Sequence, residues 1–177
     1  MKASVRVETA RLVLEKPRSE DAEQVFERYA GDPRVGEYLA WPIHRSLDDT
    51  RQFLAFADAE WLQWPAGPYL IYRDGQLIGS TGLAFESRSR ASTGYVLAAD
   101  AWGRGYATEA VRAMQALAAE LGVKRLYAGV HPDHRASAHV LEKAGFRDDG
   151  IAQACAEFPN QAPGVLQDVR LYAVDLR

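Results

Sequence analysis

The sequence predicts a mixed α+β fold, a mostly antiparallel sheet flanked by helices, and three observations lead there. Asp74-Gly75 lies between two apolar runs in "PYLIYRDGQLIGSTGLAFE", the strongest short-range signal for a hairpin. In "AADAWGRGYATEAV", two glycines one residue apart hand an extended run, Gly94 to Ala99, over to an amphipathic one, Ala107 to Leu121. The order of periodicities is a strand, two helices, three antiparallel strands, a helix, a strand, a helix and two strands. That order places a crossover helix after the third of the antiparallel strands.

Each element has its own signal. Leu12, Leu14 and Lys16 alternate with Arg11, Val13 and Glu15, so Ala10 to Lys16 reads as a short strand ended by Pro17. Ser19 is placed to cap a helix with Glu20 and Asp21 in its first turn, where carboxylates suit the dipole. Ala22, Val25, Phe26 and Tyr29 form its apolar stripe and Gly31 closes it. "DPRVGEYLAWPIH" reads as a loop or a broken helix. Ser46 and Asp49 resemble a capping box for a second helix striped by Leu47, Thr50, Leu54, Ala57 and Trp61. After the hairpin, a third strand is expected at Thr93 to Ala99. The helix that follows faces inward with Ala107, Ala110, Val111, Met114, Leu117, Ala118 and Leu121, with Gly122 at its end. "RLYAGV" reads as a buried strand and His134 to Ala144 as a helix ended by Gly145. Phe146 to Ile151 and Leu166 to Asp175 read as closing strands around a loop, "QACAEFPNQAPG".

Composition narrows the class. The 177 residues suit one domain, 1–177, with no interdomain linker or repeat, and 47% hydrophobic with 25% charged residues is ordinary for a globular protein. A net charge of −3 argues against a broad nucleic-acid footprint. No apolar run reaches bilayer length, and the N-terminus lacks the apolar core of a signal peptide. With Cys155 alone, no internal disulfide forms, which fits a reducing cytoplasm. No metal-ligand spacing is present.

Glycines at a strand-to-helix turn let backbone approach a ligand, and the free N–H groups of the helix start then favour an anion. From the glycines alone, a phosphate site and a plain tight turn both remain open. A dinucleotide fingerprint would need a third glycine where the frame reads Gly-Arg-Gly-Tyr-Ala-Thr, and a nucleotide P-loop would need Gly-Lys-Ser/Thr.

"YVLAADAWGRGYATEA" and "HPDHRASAHVLEKAGF", with "ETARLVLEKPRSEDAEQVFE" and "DPRVGEYLAWP" upstream, together resemble the GCN5-related N-acetyltransferases (GNAT), in the branch of the ribosomal-protein alanine N-acetyltransferases. The resemblance covers nearly the whole chain. It implies a seven-stranded sheet splayed between strands 4 and 5 with about four helices, and acetyl-CoA as cofactor. It places the pyrophosphate on the amides of Gly103, Arg104, Gly105, Tyr106, Ala107 and Thr108, and the pantetheine arm against Tyr95, Val96 and Leu97. Where the family often opens the turn with Gln or Arg, this chain has Trp102. Where the family often has Asn against pantetheine, it has His134.

The same resemblance implies direct transfer of acetyl to a primary amine. Many relatives carry a donor tyrosine at the position of Leu141, so the proton donor falls to Ser137, the serine of the branch. The base falls to Glu157, near the position of a branch glutamate, with His131 as a second candidate. Asp168 aligns with an aspartate of the last strand. Tyr38, Trp41 and Trp64, with the "CAEFPNQAPG" loop, are expected to line the amine cleft. A peptide α-amine, pKa about 7.7–8.0, costs under about 1 kcal/mol to deprotonate near pH 7.4, against roughly 4 kcal/mol for a lysine. The scarcity of bases therefore leans toward a protein N-terminus. A small-molecule amine (polyamine, amino acid or antibiotic) and a non-catalytic CoA-binding protein are the alternatives, and a homodimer is a habit of the family.

Overall fold

The computed structural model describes residues 1–177 as one eight-stranded sheet in the order β1-β2-β3-β4-β5-β6-β8-β7. The strands are β1 (Arg6–Glu8), β2 (Val13–Glu15), β3 (Pro68–Arg73), β4 (Gln76–Phe85), β5 (Arg90–Leu97), β6 (Arg125–Val130), β7 (Arg147–Glu157) and β8 (Leu166–Asp175). The helices are α1 (Ala22–Val25), α2 (Leu47–Gln63), α3 (Tyr106–Glu120) and α4 (Arg135–Lys143). All neighbouring strands run antiparallel except β5 and β6, which the crossover through α3 makes parallel.

Eight strands replace the expected seven because Arg6–Glu8 pairs with Val13–Glu15 as an added edge strand. Three residues rich in charge carry no period to read. The expected strand Ala10 to Lys16 shrinks accordingly: Ala10 and Arg11 form the turn between β1 and β2. The first helix is not capped by Ser19. Asp21 instead accepts from the Arg18 N–H at 2.7 Å, and the segment runs as a 3₁₀ turn (Ser19–Asp21), α1 and a π turn (Phe26–Ala30). Ser46 does cap α2, accepting from the Asp49 N–H at 3.4 Å, but Asp49 returns to the Arg45 N–H rather than to that of Ser46. The last hairpin departs most. The stretch expected to be loop continues β7 as far as Glu157, across irregularities between Asp148 and Ile151 and between Ala152 and Ala156. Ala154, at φ +45°, sits in the second bulge. Bulges break the two-residue alternation that identifies a strand.

The hairpin turn at Asp74-Gly75, with φ +49° and +78°, is of the primed type that matches strand twist. Met114, Val111 and Ala118 of α3 are buried with Leu126 of β6 and Leu14 of β2 in the larger core. A smaller core of Val25, Tyr29, Leu70, Leu77 and Val96 lies under α1. No helix is long and apolar enough to cross a membrane.

Candidate active site

The sheet comes apart where the chemistry is expected. β5 pairs with β6 only at Arg90↔Arg125, Ala91↔Leu126 and Ser92↔Tyr127, yet stays paired with β4 as far as Gly79↔Leu97. From Thr93 to Leu97, one edge of β5 therefore faces a split. The Gly94 carbonyl accepts from Thr81 Oγ1 at 2.7 Å and the Ala98 N–H donates to Ile78 at 2.8 Å, so even-numbered residues turn their backbone toward β4. Tyr95, one residue out of phase, presents its N–H and C=O to the split. Val96 and Leu97 are buried beside it. An extended ligand fits this edge as an added strand.

At the end of β5 the chain enters a 3₁₀ turn (Ala99–Ala101) and then Gly103-Arg104-Gly105. Gly103 has φ +71° and Gly105 φ +80°, a backbone that side-chain-bearing residues rarely adopt. None of the amide N–H groups from Gly103 to Thr108 donates to a turn carbonyl or to a side chain, and α3 starts with no side-chain cap. Six successive donors at a helix start are thus left for a ligand, and the helix dipole favours an anion there. A Cβ on Gly103 would meet nothing within 4 Å, so the space in front of the turn is open. Beside it lies a groove of about 590 Å³ lined by Thr9, Arg11, Thr108, Glu109, Arg112 and Lys143, cationic apart from the Glu109 carboxylate. The open amides of the turn fit a pyrophosphate. The indole of Trp102, which takes the position of a common phosphate-capping side chain, is used internally: Nε1 donates to the Leu97 carbonyl at 3.0 Å. The Arg104 side chain is exposed.

Across the split, α4 starts at Arg135. Ser137, on its first turn, is buried, and the Tyr95 hydroxyl donates to Ser137 Oγ at 3.3 Å. His134 precedes the helix, its ring stacked on Tyr38 with centroids 4.4 Å apart and planes 19° apart. Burial lowers the His134 pKa, outweighing the opposing pull of the Glu37 carboxylate. His131 is buried beneath. Its Nδ1 accepts from the Asp133 N–H at 3.1 Å, so Nε2 carries the proton and donates to Gln167 Oε1 at 3.1 Å. With both ring nitrogens engaged, His131 has no free lone pair for an incoming amine. Phe158 closes the pocket edge-on to His131, with centroids 4.7 Å apart.

The roof over these rings is held by a residue that sequence reasoning missed. Asn160, in the β7–β8 loop, accepts from the Ile43 N–H at 3.0 Å and donates to the carbonyls of Gly36 at 2.8 Å and Trp41 at 3.0 Å. Gln161 adds a bond to the Glu37 carbonyl at 2.9 Å. The loop carrying Tyr38 and Trp41 is thereby tied to the loop carrying Phe158, across more than a hundred residues of sequence. No local pattern announces such a pairing.

Other sequence candidates fall elsewhere. Trp64 stacks on Phe85, centroids 5.7 Å apart, against the larger core. Phe85 pairs with Ala91, six residues along β5 from Leu97 and about 20 Å from the open end of the split, so Trp64 does not join Tyr38. Asp168 is exposed, and its Oδ1 accepts from the Ala154 N–H at 2.9 Å, holding the β7 bulge; its neighbour Gln167 is the residue that meets His131. Glu157 is exposed, and its carboxylate accepts from the Gly164 N–H at 3.2 Å within the β7–β8 hairpin.

A parallel strand pair that splays open beside a helix start with free amides offers room for an extended, phosphate-bearing ligand. Residues 11–147 match the family model described as an acetyltransferase (GNAT) domain, and the chain belongs to that family. It is an acetyl-CoA-dependent N-acetyltransferase. The "uncharacterized N-acetyltransferase p20" of Bacillus licheniformis is 27% identical over 171 residues, covering 94% of this chain and 93% of the relative. Among solved structures, the microcin C7 self-immunity acetyltransferase MccE, in complex with acetyl-CoA and AMP, superposes with a TM-score of 0.85 at 20% identity, covering 95% of this chain and 94% of that one. An acetyltransferase of Salmonella typhimurium that modifies the N-terminal serine of ribosomal protein L7/L12 superposes at 0.81 and 19% identity, covering 96% and 97%.

Proposed function

We propose that the enzyme acetylates a weakly basic amine, first among them a protein N-terminal α-amine. The observation that carries this reading is that no carboxylate is buried among the groups that meet across the split. Tyr38, His131, His134, Phe158 and Ser137 gather there, Glu37 and Asp133 lie nearby at the surface, and the buried polar groups are the Ser137 hydroxyl, the His131 imidazole and the Gln167 amide bonded to it. Such a pocket admits an amine that is already neutral and does little to deprotonate a lysine.

Bound acetyl-CoA supplies the acetyl group as an activated thioester. The Gly103–Thr108 amides hold the pyrophosphate, and the open edge of β5 at Tyr95 to Leu97 holds the pantetheine arm. Ser137 is the proton donor to the departing sulfur. Because Tyr95 donates to Ser137 Oγ, the serine's own proton is free to go to the departing sulfur; Ser137 takes its replacement through the Tyr95 hydroxyl, and the phenol is refilled from solvent, which balances the proton that the amine loses. Burial raises the Tyr95 pKa, so the phenol stays protonated for this role. His134 flanks the donor and, with Tyr38, limits solvent. Glu157, the exposed carboxylate next to Phe158, takes the amine proton toward solvent. The reaction is placed in a reducing cytoplasm, where the exposed Cys155 stays a thiol.

The test is release of free thiol from acetyl-CoA with a panel of peptides differing at residue one, beside spermidine, free amino acids and aminoglycosides. Turnover selective for peptide α-amines bears the reading out. Turnover confined to a small amine replaces the substrate while leaving the donor side in place.

A further inference from the structure

The turn that faces the pyrophosphate does not stand alone. Glu109, in the first turn of α3, receives three hydrogen bonds from the turn between β1 and β2, about a hundred residues earlier in the chain. They come from Thr9 Oγ1 at 2.6 Å, the Arg11 N–H at 2.7 Å and Arg11 Nε at 2.7 Å. Arg11 then reaches on to the phosphate turn, where Nη1 donates to the Arg104 carbonyl at 2.9 Å. Its guanidinium lies over the Tyr106 ring, 4.7 Å from the centroid, and Nη2 comes within 3.3 Å of where a Cβ on Gly105 would stand.

The arrangement carries an electrostatic oddity. A carboxylate one turn into the helix sits close to a cradle built for an anion, where it repels a phosphate. Burial alone would raise the Glu109 pKa, but the bonds from Thr9 and Arg11 outweigh it and keep the group ionised. What the carboxylate does instead is fix Arg11 in one rotamer. A guanidinium is a rigid fork, so fixing its Nε edge on Glu109 aims its Nη1 at the Arg104 carbonyl. A peptide plane has two faces: with the Arg104 carbonyl drawn back toward Arg11, the amide of Gly105 in the same plane is turned the other way.

We infer that Arg11, clamped by Glu109 and Thr9, is a positioning residue for the donor. It straps the Gly103–Gly105 turn through the Arg104 carbonyl so that the amides are preset for the pyrophosphate before it binds. This rests on the placement of the pyrophosphate at Gly103–Thr108 proposed above. The strap acts through the turn, so it matters only for the phosphate half of the donor.

The experiment measures binding of two probes, acetyl-CoA and S-acetyl-pantetheine, which lacks the pyrophosphate. Affinities are compared by calorimetry or competition for the wild type, Arg11→Ala, Arg11→Lys, Glu109→Gln and Gly103→Val, with melting temperatures taken alongside. The expected result is at least a tenfold loss of acetyl-CoA affinity in all four variants, with S-acetyl-pantetheine unchanged within twofold. Arg11→Lys keeps the charge but loses the fork, so its failure to rescue separates positioning from simple attraction. Glu109→Gln is the sharpest arm: removing a negative charge beside an anion site tightens acetyl-CoA if the strap does nothing, and weakens it if the strap holds. Gly103→Val puts a β-branched side chain at φ +71°, which perturbs the cradle itself while leaving the Arg11–Glu109 pair in place. Selective loss there with none in Arg11→Ala overturns the strap and leaves the cradle standing. No selective loss in Gly103→Val removes the cradle and the strap with it, and equal loss of both probes in the Arg11 variants assigns Arg11 to folding alone.

Discussion

The Tyr95 hydroxyl donates to Ser137 Oγ at 3.3 Å, joining β5 to the first turn of α4 across the split in the sheet. Two hydroxyls in series thus stand at the split, while α4 buries Leu141 in the core. Ser137→Ala should lower kcat by about 100-fold, the lower end of what a positioned proton donor contributes, with a much smaller change in KM for acetyl-CoA. Tyr95→Phe should give a smaller drop, on the order of tenfold, because Ser137 keeps its own proton. Steady-state kinetics on both decide it, and an unchanged kcat in Ser137→Ala with chemistry rate-limiting removes the serine from the reaction.

Acid should loosen the protein before its carboxylates titrate. Burial lowers the pKa of both His134 and His44 below the ordinary histidine value of 6.5. The unfolded chain then binds protons at these positions more readily than the folded one. Their contribution is fully present above about pH 6.5 and is lost as pH falls through the depressed folded values. Melting temperatures taken from about pH 7.5 down to pH 5 should decline, and His134→Gln should flatten part of that decline. The same slope in the variant would exclude His134 as a cause.

Asn160→Ala removes three hydrogen bonds, to Ile43, Gly36 and Trp41. At about 1 kcal/mol each net, it should destabilise by about 2–3 kcal/mol and lower Tm by about 5–10 °C. Because the bonds position Tyr38 rather than the cradle, KM for the amine should rise while acetyl-CoA affinity stays within about twofold. Loss of acetyl-CoA affinity instead would mean that the roof supports both sides of the site.

Gly79 sits opposite Leu97 in the β4–β5 ladder, and a Cβ there would stand 2.0 Å from the Val96 carbonyl oxygen. Gly79→Ala should cost more than about 3 kcal/mol in chemical denaturation, because backbone rather than a flexible side chain has to move. A near-neutral effect would show that β5 shifts freely beside the split.

What could be read in advance follows from how local the cause is. The Asp74-Gly75 turn, the Gly103–Gly105 turn and the inner face of α3 depend on neighbours within a few residues, and each stands where its pattern placed it. β1 and the continuation of β7 depend on pairing: a three-residue edge strand and a bulged strand carry no period of their own. The site divides the same way. Gly103–Thr108 is a continuous stretch and was legible as a possible anion turn. Asn160, Gln167 and Arg11 act at a distance of many residues, through bonds to remote segments that a short motif cannot encode. Trp64 shows the converse, since an aromatic residue near the end of a helix looks the same whether it enters a cleft or, as here, lies on Phe85.

The brevity of the β5–β6 contact has a mechanical meaning. Three residue pairs are the whole of the ladder between β1–β5 on one side and β6–β8 on the other. Backbone pairing couples these two plates only along that seam, and the rest of their coupling falls to the core that α3 shares with both. A molecule lying in the opening, touching β5 on one plate and α4 on the other, acts as a wedge and a fastener together. Part of the rigidity then comes with the donor, and amide exchange in β6–β8 should slow when it is bound.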